Sequence, residues 1–280
     1  MVSMNKCFLS LSLLLGMLTY ASAGNVPFEM VKGLMIVEAR VDGLTGRYIF
    51  DTGADHFILD SRHNGPKDLT IHTGSGEAKG SSLQIEKISI GEVNKGKVDA
   101  AVMDLTNLDN FLGFDVKGIM PGKIFDPHYV EIDYSSHNII ISDKISKEER
   151  NQFTHKWKIE NFDRIALVKT KIDQEEVYFI LDSGASTTYL SLKTIESIAG
   201  SLPTGNSNNT VTTEGTAISR EFFIPEFTIE DFTVQNLKVF ELDTESLSKA
   251  MGKNIQGIIN LKFLSNTNIL FDFRRNLVYF

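Results

Sequence analysis

Phe50-Asp51-Thr52-Gly53-Ala54 returns as Leu181-Asp182-Ser183-Gly184-Ala185, so one chain carries twice an aspartate followed by a small hydroxyl residue, a glycine and an alanine. The residues leading into the two copies repeat at a constant offset of 131: Val37 with Val168, Arg40 with Lys171, Val41 with Ile172, Asp42 with Asp173, Tyr48 with Phe179, Ile49 with Ile180 and Leu59 with Leu190. One Asp-Thr-Gly would be a weak signal, because glycine after polar residues also marks ordinary turns. A duplicated context predicts two related folding units, each ending a strand on an aspartate.

The far ends of the units also match, now at an offset of 139: Gly118-Ile119-Met120 with Gly257-Ile258-Ile259, and Ile132-Asp133-Tyr134 with Phe271-Asp272-Phe273. The second unit is therefore 8 residues longer (139 minus 131), and the polar stretch Gly200 to Gly215 is read as a mobile loop that holds the excess. Short apolar segments rich in β-branched and aromatic residues recur between Gly, Asn and Asp turns, which predicts a mostly β chain. Expected strands in the first unit are Gly33 to Val41, Arg47 to Phe50, Ser82 to Ile90, Lys97 to Met103, Tyr129 to Tyr134 and Asn138 to Ser142. Those of the second are Ile165 to Ile172, Val177 to Leu181, Arg220 to Ile229, Leu237 to Glu241, Asn268 to Phe273 and Leu277 to Phe280.

Residues 1–23 read as a secretory signal, with Lys6, an apolar run from Phe8 to Leu18 and Ala21-Ser22-Ala23 as the cleavage site. The run is too short to span a membrane as a helix. Gly24 to Met30 is expected as a short spacer before the first strand. Units at 24–143 and 157–280 flank a charged linker at 144–156, with a short helix expected at Ser146 to Gln152. The single cysteine, Cys7, would leave with the signal, which excludes a thiol nucleophile or a cysteine metal site in the mature chain. Formal charge moves from -8 to -9 when Lys6 is removed, and an acidic chain without basic runs is a poor partner for nucleic acid. The six histidines show no metal-ligand spacing, and Trp157 is expected to anchor the second unit.

At its motifs the chain resembles the aspartic proteases, and more closely their retroviral-type (retropepsin-like) branch than pepsin. Asp51-Thr52-Gly53-Ala54-Asp55 is similar to the retroviral active-site loop over five positions, and Asp182-Ser183-Gly184-Ala185-Ser186 is an accepted variant. The resemblance implies an all-β bilobal fold: two retropepsin-like β-barrel lobes fused in one chain, with the active site between them. It implies Asp51 and Asp182 as the catalytic dyad, with no metal or cofactor. Thr52, Gly53, Ala54, Ser183, Gly184 and Ala185 would support the loops. Asp55 would either contact substrate backbone or cap its own loop.

The resemblance also implies a hairpin flap over the cleft. Gly74 and Gly76, in Thr73-Gly74-Ser75-Gly76, are candidates for its tip and for substrate contact, the alternative being a plain surface turn. Thr213-Glu214-Gly215-Thr216 is a second candidate tip. Family members place a glycine after the apolar pair that closes each unit. Here Pro121-Gly122 follows Met120 and Asn260 follows Ile259, and asparagine's tolerance of left-handed backbone offers one way to keep the geometry.

The chemistry gives each position its reason. Two carboxylates sharing a water cannot both ionise, so one proton stays on the pair, and the split protonation is the useful state. The ionised member takes a proton from water while the protonated one donates to the developing oxyanion. The third position of each motif is Ala54 or Ala185 where pepsin-like enzymes have a hydroxyl, and loss of that donor should move activity toward weakly acidic or neutral pH. The leading expectation is a secreted or periplasmic endopeptidase acting on extended peptide or protein substrates as a monomer, with exchange of lobes in a homodimer as an alternative. The rival function is a catalytically weak or inactive bilobal peptide-binding protein of the same fold.

Overall fold

The computed structural model describes residues 23–61, 69–73, 76–163, 165–200, 206–212, 215–264 and 268–280. Two lobes of the same topology are joined by a shared antiparallel sheet. In the first lobe Leu34–Val41 and Leu44–Asp51 form a hairpin around the pair Val41↔Leu44. Its turn residues Asp42 (φ 45°) and Gly43 (φ 88°) are both left-handed, as a two-residue turn needs when it must match strand twist. Gly118–Pro121 then runs parallel to Leu44–Asp51 and antiparallel to Phe57–Asp60. Phe57–Asp60 in turn lies parallel to Val98–Met103.

The second lobe repeats each of these pairings. Ile165–Ile172 and Glu175–Asp182 form the hairpin, here turning on Asp173 (φ 50°) and Gln174 (φ 69°). Ile255–Asn260 is parallel to Glu175–Asp182 and antiparallel to Thr188–Leu190, which is parallel to Phe232–Glu241. Each strand that carries an aspartate is apolar where it enters the core: Tyr48, Ile49 and Phe50 are buried in one lobe, and Phe179, Ile180 and Leu181 in the other.

Between the lobes, Tyr129–Asp133 pairs antiparallel with Ile269–Asp272, and this pair is the axis of a six-stranded sheet. On one side follow Asn138–Ser142 and Ala23–Pro27, on the other Leu277–Tyr279 and Lys156–Lys158. Asp133 accepts from the N–H groups of Ser135 and Ser136 at 2.8 and 3.0 Å, and Asp272 from that of Arg275 at 3.2 Å, so both repeated aspartates close turns.

Three expectations are corrected. Ala23–Val31 is not a spacer but a strand, which pairs with Asn138–Ser142 through Pro27 and then crosses to Leu34–Val41. Its alternating exposure from Asn25 to Glu29 is a half-buried pattern that the embedded Pro27 disguised, and proline is tolerated on such an edge. Ser82 to Ile90 is split: Gly76–Ile85 ends before Glu86-Lys87, and Ile88–Ile90 starts a separate hairpin with Val93–Lys95. The polar stretch after Gly200 holds the strand Asn206–Thr212, paired with Gly215–Ile229; in a ladder the backbone bonds do the work that an apolar face does elsewhere. The helices Thr106–Leu112, Leu192–Ala199 and Glu245–Met251, each about two turns long, were not expected from the sequence pattern. The helix Lys147–Arg150 is held by a capping box between Ser146 and Glu149.

Candidate active site

Asp51 and Asp182 end equivalent strands and meet at the junction of the lobes. Parallel pairing sets Asp51 beside Pro121 and Asp182 beside Asn260, so each aspartate is fixed laterally by the strand that closes its own lobe. Beyond each aspartate the chain turns, and the two turns interlock. Thr52 N–H donates to Ser183 Oγ at 3.0 Å, and Ser183 N–H donates to Thr52 Oγ1 at 3.0 Å. The hydroxyls then donate onward, Thr52 Oγ1 to the Leu181 carbonyl and Ser183 Oγ to the Phe50 carbonyl, both at 2.9 Å. Thr52 and Ser183 are buried, so every one of these groups would be unsatisfied if its partner were removed.

Gly53 and Gly184 lie where a side chain cannot. A Cβ on Gly53 would come within 2.5 Å of the Asp182 carboxyl carbon, and one on Gly184 would collide with the Asp51 carboxyl. Each glycine also donates its N–H to the aspartate two residues before it, at 2.7 Å for Asp51 and 2.5 Å for Asp182. Each carboxylate is thus wedged between its own loop's N–H and the opposite glycine.

Burial raises the Asp51 carboxyl well above the usual carboxylate range; the neighbouring Asp182 charge and the hydrogen bond between the two carboxyls act in the same direction, against the N–H groups of Gly53 and Ala54. Burial also raises Asp182, but there the hydrogen bond from Asp51 and the N–H groups of Gly184, Ala185 and Gly53 pull back. Both carboxyls are thus pushed upward, and two like charges this close disfavour ionising together, so the pair titrates as a unit.

The third-position alanines point into apolar clusters of their own lobes: Ala54 against a group that includes Ile49, Ile58 and Ile119, Ala185 against one that includes Ile180 and Ile258. Asp55 has its carboxylate at 2.8 Å from His56 Nδ1, beside the first loop. Gly76 pairs with Thr73 at the end of the hairpin Leu69–Thr73/Gly76–Ile85; Gly74 lies outside the described residues. The equivalent hairpin of the second lobe ends on Thr212↔Gly215, with Thr213 and Glu214 outside the described residues. The two hairpins reach across: Leu69–Thr73 approaches the helix Glu245–Met251 of the second lobe, and Asn206–Thr212 the helix Thr106–Leu112 of the first.

Further residues support the loops, two of them at the sequence's departures from the family pattern. Gly122 packs on Thr52, where a Cβ would sit 2.9 Å from the threonine methyl, so it takes the close-packed place beside the first loop. In the second lobe Asn260 is not left-handed, contrary to the expectation from its residue type. Its buried amide instead donates to the Ala185 carbonyl and accepts from Lys262 N–H at 2.6 Å, bracing the second loop through its side chain. Across the lobes, Lys123 Nζ donates to the Asp163 carbonyl at 2.9 Å, and the left-handed turn at Gly33 abuts Ser186.

Comparison with known families finds a model described as aspartyl protease that matches residues 37–116 and 168–263, one stretch in each lobe. No curated protein matches the chain.

Proposed function

The chain belongs to the retropepsin-like aspartyl protease family, with two tandem units, and from that premise we propose that it is an aspartic endopeptidase whose single active site is built from Asp51 and Asp182. The observation that carries the reading is the geometry of the dyad: two adjoining carboxyls, each against the glycine of the opposite loop, on loops held by reciprocal Thr52–Ser183 bonds. Asp182 takes a proton from a water that attacks the scissile carbonyl, and Asp51 donates to the carbonyl oxygen as it gains charge. A proton then reaches the leaving nitrogen as the C–N bond breaks.

The substrate is an extended polypeptide segment. The hairpins that lean from each lobe toward the other support this, since an extended chain between them would be gripped along its length. Because both aspartates come from one chain, the monomer is the active unit, and a leader ending at Ala23 would send it to a secreted or periplasmic location.

The test is digestion of a peptide library by the chain from Gly24 onward across a range of pH, with pepstatin as a probe and Asp51→Asn and Asp182→Asn as controls. Cleavage that both substitutions abolish supports the proposal. Cleavage that survives both would sink it, and library binding without cleavage at any pH would favour a peptide-binding protein.

A further inference from the structure

The strand Gly215–Ile229 serves two partners in turn. From Glu221 to Ile229 it pairs with Phe232–Glu241 inside the second lobe, and from Gly215 to Glu221 with Asn206–Thr212, in the hairpin that approaches the first lobe's helix Thr106–Leu112. The change of partner is clamped. Arg220 donates to Glu241 at two points, Nε to Oε2 at 2.6 Å and Nη2 to Oε1 at 3.0 Å, where the strand leaves the lobe.

Alternate residues of a strand share a face. Phe222 and Ile224 are buried, so the face that turns toward the lobe's core also carries Arg220 and, beyond the clamp, Ile218. Ile218 is nevertheless 76% exposed, more than any other large apolar side chain among the described residues. It stands on the inward face of a hairpin that reaches for the other lobe, and most of it is uncovered. Phe223, 61% exposed, lies on the opposite face beside Lys238 across the ladder. A lone apolar residue on an outer face needs no function.

The first hairpin shows what the ladder itself requires. The hairpins end on Thr73↔Gly76 and Thr212↔Gly215, and three residues past each glycine stand Lys79, paired with Thr70, and Ile218, paired with Asn209. Nearer the lobes the same 139-residue offset matches Leu83 with Phe222 and Ile85 with Ile224. A hairpin of this register is therefore built without an apolar residue at the position of Ile218. Strand formation alone does not account for the isoleucine.

We infer that Ile218 is a specificity-determining residue: the second hairpin presents it to an apolar side chain of the bound peptide, and the first hairpin has no apolar match for it. Substrate then lies in one direction across the dyad, with that side chain toward the second hairpin. This role rests on the reading of the chain as an aspartic endopeptidase, but the contact can be detected without cleavage.

The chain from Gly24 onward contains no cysteine, so Ile218→Cys and Phe223→Cys each offer a single site for an environment-sensitive fluorophore. With Asp182→Asn to prevent cleavage, an eight-residue peptide of alternating Val and Ser should shift the emission of the Ile218→Cys label saturably and leave the Phe223→Cys label unchanged. In the chain with an intact dyad, Ile218→Lys should lower kcat/KM by about tenfold or more on peptides with an apolar residue at one position, through KM, while Ile218→Val stays within about threefold. Library preferences at the remaining positions should not move, and circular dichroism should match the parent. A label response in a chain that cuts no peptide would sink the peptidase reading and keep the contact. No emission change at millimolar peptide, an equal change at both labels, or a library profile that Ile218→Lys leaves intact overturns the inference.

Discussion

Thr52 and Ser183 hold each other by hydroxyl and N–H in both directions, each bond 3.0 Å long, and pass a further bond of 2.9 Å to the carbonyl before the opposite aspartate. Thr52→Ala leaves the Ser183 N–H and the Leu181 carbonyl buried without partners, at about 1–3 kcal/mol for each group. Chemical denaturation should show a loss in that range or above. Activity should fall roughly 100-fold, since a displacement of about 1 Å at a dyad costs that much. Ser183→Thr supplies the residue that the first loop already uses and should stay close to the parent; a loss equal to that of Thr52→Ala would contradict the mirrored reading.

The dyad makes stability depend on pH. A carboxyl raised by burial favours the folded state while it is protonated, and that contribution is lost as pH rises through its folded range. Asp51→Asn imitates the protonated form. It should therefore raise Tm at pH 8, by about 2–4 °C for each kcal/mol relieved, and the gain should vanish near pH 4, where the parent is protonated as well. The same substitution should abolish cleavage. Lower Tm for Asp51→Asn at pH 8 would mean that the ionised pair stabilises the fold.

For the parent, cleavage should follow a bell whose acid limb is protonation of the dyad's remaining carboxylate and whose alkaline limb is loss of the proton the pair shares. Both carboxyls are raised, so the bell should lie in weakly acidic to neutral pH. A pH-rate profile that peaks below about pH 3 would rule this out.

Asn260 braces the second loop with a bond to the Ala185 carbonyl and one to Lys262 N–H. Asn260→Leu keeps the branched outline of the side chain but orphans both backbone groups, at about 1–3 kcal/mol each. Asn260→Gly restores the residue usual in the family, yet it removes the same bonds, so it should also destabilise. Urea titration of both variants decides: a stabilised Asn260→Gly would show that the side chain strains the loop.

The repeat made the duplicated lobe and the strand that ends on each aspartate legible, because each rests on local residue types repeated at fixed spacing. What stayed hidden depends on partners distant in sequence. Ala23–Val31 is a strand only because Asn138–Ser142 and Leu34–Val41 offer it edges. Asn206–Thr212 lacks an apolar face and is ordered by its ladder to Gly215–Ile229. The raised state of Asp51 needs the opposite carboxylate and burial together, neither of which a linear motif contains. Asn260 showed as a departure from the family pattern, but the compensating bond that braces the second loop runs to a residue 75 positions away.

The two hairpin turns that precede the aspartate strands give a test of the duplication itself. Asp42-Gly43 and Asp173-Gln174 adopt the same left-handed pair of conformations, with Gln174 at φ 69° where its counterpart is glycine. Left-handed backbone costs an ordinary L-residue about 1–2 kcal/mol. Glycine removes that cost but adds unfolded-state freedom worth about 0.4–1 kcal/mol. Relief of strain outweighs the added freedom, so Gln174→Gly should stabilise the chain by about 0.5–1 kcal/mol, and Gly43→Gln should destabilise it by a similar amount. The changes lie far from the dyad, so kcat/KM should not move. Denaturation midpoints at constant m-value are the measurement; a Gln174→Gly variant less stable than the parent would mean that the Gln174 side chain holds contacts worth more than the strain of its turn.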